Sequence, residues 1–96
     1  MSIWVILKSQ VKSEKYDDLM GFLEKNLPRV RSFPGCFGVS VQRSSDDRTM
    51  LFQERWLSRS HHESYLESIS QNGVMEALAG FLEKPPEILY LEDVDI

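Results

Sequence analysis

A chain of 96 residues has room for one domain and hardly more. Hydrophobic residues are 42% and charged residues 27%, the balance of a globular protein rather than a disordered or membrane-spanning one. The net charge of -4, with Lys and Arg scattered among acids, argues against a nucleic-acid partner.

Ile3 to Val11 is rich in β-formers and is predicted as the first strand. The stretch from Met1 to Val11 has no basic start and no small-residue cleavage site, so no signal peptide is expected. No run reaches the ~20 apolar residues of a membrane span, and a cytoplasmic location is expected. Ser13 offers a helix N-cap, with Glu14 favouring the positive helix end. Tyr16, Leu19, Met20, Leu23 and Leu27 then form one helical stripe, and Pro28 should bend or restart the helix before about Phe33. Pro34-Gly35 breaks the chain before a strand over 36–43. Ser44-Ser45-Asp46-Asp47 is a polar turn, and a third strand over about 49–57 completes a hairpin. Ser60-His61-His62-Glu63 has the spacing of a capping box opening the next helix, which Gly73 interrupts. Val74, Met75, Leu78, Phe81 and Leu82 point inward before Pro85-Pro86 stops the helix, and Ile88 to Val94 is the last strand. The order β-α-β-β-α-β suits a ferredoxin-like α+β sandwich, a four-stranded antiparallel sheet with helices on one face.

A sheet with one wet face alternates apolar and polar residues. These strands do so poorly. Ile3, Val5 and Leu7 point one way and Trp4 and Ile6 the other; Met50, Phe52 and Trp56 oppose Leu51 and Leu57; Ile88 and Tyr90 oppose Leu89 and Leu91. Helices can cover only one face, so the second calls for a partner. A two-fold homodimer packing sheet on sheet is the expected solution.

The single cysteine, Cys36, excludes an intrachain disulfide and argues against a Cys-based zinc site. The five glycines are dispersed, with no phosphate loop, so no nucleotide, flavin or other cofactor is expected. His61 and His62 are adjacent and cannot share a helix face, unlike an i, i+4 zinc pair, so no metal is expected.

Four segments resemble the antibiotic biosynthesis monooxygenase (ABM)-like domains, which form dimeric α/β barrels. Phe33-Pro34-Gly35-Cys36 resembles the opening of their second strand. Gln53-Glu54-Arg55-Trp56-Leu57-Ser58 resembles the end of their third. His62-Glu63-Ser64-Tyr65-Leu66 resembles the following helix, and Pro85-Pro86-Glu87-Ile88 with Tyr90 resembles the exit into the last strand. The resemblance covers nearly the whole chain as one domain, 1–96. It implies a homodimer with a pocket between sheet and helices in each subunit. Some members oxidise quinols or polyketide anthrones with molecular oxygen and no metal or flavin, others cleave haem, and others isomerise small molecules. The haem-cleaving branch uses an asparagine on the first strand and a late helical histidine. Residues 3–12 and 74–84 contain neither, which argues against that activity. Tyr65 stands where many members carry a histidine, a departure from the family pattern.

His62 lies one turn before Leu66 on the inner stripe and is the candidate general base, with His61 solvated. Tyr65 is the candidate hydrogen-bond donor to a phenolate or carbonyl. Trp56, Phe22 and Phe81 are the candidate aromatic walls of a substrate pocket. Glu54 shares a strand face with Trp56 and is expected to pair with Arg43 or Arg55 of either chain as a structural ion pair. Cys36 is expected to be a small buried thiol. These readings converge on a cofactor-independent monooxygenase acting on a small aromatic, a quinol or hydroxylated polyketide, with molecular oxygen. The alternatives are a non-catalytic dimeric module binding a small apolar ligand, and an isomerase of a small carbonyl compound.

Overall fold

In the computed structural model, residues 2–46 and 48–96 are described. Met1 and the Asp47 end of the expected polar turn lie outside them. The elements are β1 (Ile3–Gln10), α1 (Tyr16–Ser32), β2 (Cys36–Arg43), β3 (Thr49–Trp56), α2 (Arg59–Gln71), α3 (Val74–Ala79) and β4 (Glu87–Leu91). The four strands form one antiparallel sheet in the order β2-β3-β1-β4. This is the ferredoxin-like α+β arrangement that the sequence predicts.

The alternation read from the strands sets the layers. Val5, Leu7 and Ser9 of β1 and Met50, Phe52, Glu54 and Trp56 of β3 are buried. They face Leu19, Leu23 and Val30 of α1 and His62 and Ile69 of α2, buried in their turn. Burial of these apolar side chains, each stabilising by about 1.5–3 kcal/mol, is the main force on the fold. On the opposite face Trp4, Leu89 and Leu91 remain partly exposed, and Arg55 lies over the Trp4 ring.

The helix starts differ from expectation. Ser13 does not cap α1. Lys15 holds the cap position without a side-chain bond, because Lys12 to Lys15 first closes a turn in which Glu14 adopts a left-handed φ of 71°. Asp17 and Asp18 in the first turn favour the helix dipole instead. α1 is continuous through Pro28 rather than restarting there. The cap of α2 is Ser58, not Ser60: its hydroxyl accepts from the His61 backbone N–H at 3.2 Å. Glu63, freed from a capping box, pairs with Arg59 at 3.3 Å. β4 ends at Leu91 rather than Val94, because the Asp93 carboxylate turns to accept from the Trp4 indole and the Arg55 guanidinium.

Gly35 couples this framework to α2. Its φ is +92°, its carbonyl accepts from the Leu57 N–H at 2.7 Å, and an added Cβ would meet the His61 side chain at 2.7 Å. A side chain here meets both a disfavoured backbone and a clash. Gly35→Ala should therefore destabilise the protein by about 1–3 kcal/mol, visible as a lower midpoint in urea denaturation. An unchanged midpoint would contradict the packing described.

Candidate functional site

The registers across β2, β3, β1 and β4 align Val39, Glu54, Val5 and Tyr90 in one row. All four belong to the inner face by strand parity. Val5 lies between Glu54 and Tyr90 in this row. His62, from the first turns of α2, lies above the row and bridges them. Its Nδ1 is 2.8 Å from the Tyr90 hydroxyl, and its Nε2 is 3.7 Å from Glu54 Oε1. The same Glu54 oxygen accepts from the Trp56 indole N–H at 2.8 Å. The ring of His62 meets Trp56 and Tyr90 edge-on, with centroids 5.2 and 5.4 Å away.

These groups border a cavity of about 410 Å³ between the sheet and the three helices. Its polar lining is Asn26, Glu54, His62 and Tyr65, and the rest is aliphatic or aromatic apart from Pro85 and Pro86. No Lys or Arg lines it among the described residues. Asn26 donates its amide to the Phe22 carbonyl at 2.8 Å. Tyr65 is held edge-on against Phe33 and tilted against Trp56.

Burial decides the protonation states. It pushes the His62 pKa from 6.5 down to about 4, with the Glu63 charge opposing in part. His62 is therefore a neutral imidazole at neutral pH. Burial also raises Glu54, against the Trp56 hydrogen bond that lowers it. Tyr65 is pushed well above the ordinary phenol by burial, reinforced by the Glu54 and Cys36 charges, so it keeps its proton as a donor. A neutral imidazole, a carboxyl group and a phenol thus converge on one apolar space.

Of the residues predicted from sequence, His62, Tyr65 and Phe22 line this cavity together. Trp56 and Phe81 do not line it. Trp56 is fully buried in the core and serves Glu54 as hydrogen-bond donor. Phe81 packs on Phe22 from outside the lining, at 5.3 Å. Within the chain, the expected Glu54–arginine pair is corrected. Arg55 is the next residue on the strand, so it points to the opposite face and pairs with Asp93, while Arg43 lies over the Tyr16 ring. His61 stays out of the cavity, its Nδ1 2.7 Å from the Ser58 hydroxyl. Cys36 is half-buried, with its thiol pushed up by burial. Sequence reasoning missed Asn26 and Tyr90. The signal for Asn26 was a polar residue interrupting the stripe of Leu19, Leu23, Leu27 and Val30; for Tyr90 it was its parity with Ile88.

Residues 2–82 match the family described as antibiotic biosynthesis monooxygenase. The chain belongs to that family. Its solved neighbours share the fold. A conserved protein from Methanosarcina mazei is 21% identical, with a TM-score of 0.86 over 98% of this chain and 94% of its own. SnoaB, a cofactor-independent oxygenase from Streptomyces nogalater, is 11% identical, with a TM-score of 0.82 over 99% and 95%. A monooxygenase of Streptomyces coelicolor in complex with the ligand nanaomycin D is 15% identical, with a TM-score of 0.79 over 99% and 89%. No curated protein matches the sequence significantly. Tyr90, Pro85 and Pro86 lie beyond the residues matched to the family.

The pKa shifts give opposite pH dependences. His62 is lowered in the fold, so its contribution is full above about 6.5 and is lost as pH falls toward 4. Glu54 is raised above its ordinary 4.5, so its burial penalty is present at high pH and relieved on acidification. The two offset one another in the acid range. Glu54→Gln should therefore lose stability more steeply than wild type between pH 6.5 and pH 4 in denaturant titrations, because only the His62 effect remains. Parallel curves would remove this assignment.

Proposed function

We propose that this ABM-family chain is a cofactor-independent monooxygenase of a small electron-rich aromatic, a quinol or hydroxylated polyketide anthrone. The observation that carries the reading is the neutral His62 imidazole beside Glu54 and Tyr65 on a cavity otherwise apolar. His62 takes the substrate's acidic proton. The imidazolium so formed has Glu54 3.7 Å away as a counter-charge, which offsets part of the cost of its burial. Tyr65 donates a hydrogen bond to the substrate anion. The anion itself reduces molecular oxygen. For an anthrone methylene, one oxygen atom ends in the new carbonyl and the other leaves as water with both methylene hydrogens. The dry lining strengthens each of these interactions. The description of the similarly folded SnoaB as a cofactor-independent oxygenase supports the reaction class.

Oxygen uptake by purified protein, with spontaneous oxidation subtracted, tests this across a panel of quinols and anthrones. Saturable uptake is expected, reduced about 10²–10⁴-fold in His62→Gln. Turnover unchanged in that variant would remove His62 from the mechanism. A second reading, a non-catalytic ligand-binding module, is favoured by the low basicity of His62 and by Tyr65 replacing the family's frequent histidine. It predicts ligand protection against heat with no oxygen consumed.

The oxygenase works as a homodimer in this reading, joined through the outer sheet face. Trp4 is 37% exposed, Leu89 46% and Leu91 45%, an apolar band left uncovered by α1, α2 and α3 among the described residues. Burying such a band against a second copy removes it from water. Sedimentation at micromolar concentration should show a dimer, and Leu89→Arg should shift it to monomer. A monomeric wild type would exclude this assembly.

A further inference from the structure

Glu54 is 5% exposed, and among the described residues the neutral Trp56 indole N–H donates to its carboxyl group. The adjacent imidazole is also neutral at working pH. Arg55 is committed to Asp93 on the other face of the sheet. Arg59 lies over the Tyr90 ring and pairs with Glu63 at the surface. The cavity thus holds a carboxyl group and no lining cation among the described residues. Such a space offers a ligand an acceptor, a phenol donor and apolar walls. It offers a second negative charge nothing, because an anion entering would lose its hydration and face Glu54 at short range.

We propose that Glu54 makes this cavity selective for charge: it accepts a hydrogen bond from a hydroxyl of a neutral aromatic and rejects carboxylated analogues of the same shape. The inference deepens the oxygenase reading and rests on it for the hydroxylated aromatic class. Rejection arises from desolvation and repulsion, which act even where the shapes match. Selection therefore does not depend on turnover and is measurable as binding alone.

Two probes of nearly equal shape separate charge from size: 6-hydroxy-2-naphthamide, which is neutral, and 6-hydroxy-2-naphthoate, which is an anion at pH 7.5. Calorimetric titration of the wild-type protein should show the amide bound at least about tenfold more tightly, a gap of about 1.4 kcal/mol. In Glu54→Gln, which keeps an acceptor for the Trp56 N–H, the ratio should fall by the part due to repulsion, leaving the part due to desolvation. Met75→Lys places a cation on the half-exposed cavity wall and should favour the naphthoate, giving an independent test should Glu54→Gln not fold. Equal wild-type affinities, preference for the naphthoate, binding of neither probe, or a ratio unmoved in folded variants would each overturn the proposal. Amide-selective binding without oxygen uptake from any quinol would leave charge selection standing and the oxygenase reading failed.

Discussion

The arrangement of the site depends on a carboxyl group placed on the inner face of a central strand. β3 is paired on both sides, and of its inward side chains Phe52 and Glu54 border the cavity. Strand parity sends Glu54 inward with Phe52 and Trp56, and Arg55 outward. The indole N–H of Trp56, two residues on, supplies a hydrogen bond at 2.8 Å. That bond only partly replaces the hydration Glu54 loses. Burial accordingly shifts Glu54 toward its neutral form. An acid held this way has unspent capacity to accept.

His62 belongs to the same balance. The imidazole lies across Val5, with one nitrogen toward Glu54 and the other bonded to Tyr90. In the neutral ring one nitrogen donates and the other accepts. If the Tyr90 hydroxyl donates to Nδ1, the ring hydrogen faces Glu54; if it accepts, the Nε2 lone pair does. A base needs the second arrangement. The 3.7 Å gap to Glu54 is too long for a hydrogen bond, so that lone pair is not consumed by the carboxyl group. Protonation would bring the two together as an ion pair.

Much of the fold was legible in the sequence because parity and helical stripes are local signals. The opposed faces of the first, third and last strands were assigned from alternation, and the helix carrying His62 from its apolar spacing. The caps were not legible. Ser58 and Ser60 are both chemically suitable, and only the end of β3 decides which lies at the helix start. The site was legible in part. His62, Tyr65 and Phe22 share a cavity because each sits on the inward side of its own element. Trp56 and Phe81 were misplaced because aromatic size says nothing about depth: one lies in the core, the other behind Phe22. Glu54 was assigned an arginine because sequence supplies complementary charge without the layer in which that charge lies.

The family match ends at Leu82, yet the cavity does not. Residues within the match supply Glu54, His62 and Tyr65. The chain after it supplies Pro85, Pro86 and Ile88 to the wall and Tyr90 to the imidazole. The β1–β4 register places Tyr90 beside Val5, and slipping that pairing by one residue would send Tyr90 to the outer face. The cavity's polar groups and its closing strand are therefore separable in sequence but not in geometry. A change in β4 can retune His62 without touching the matched segment.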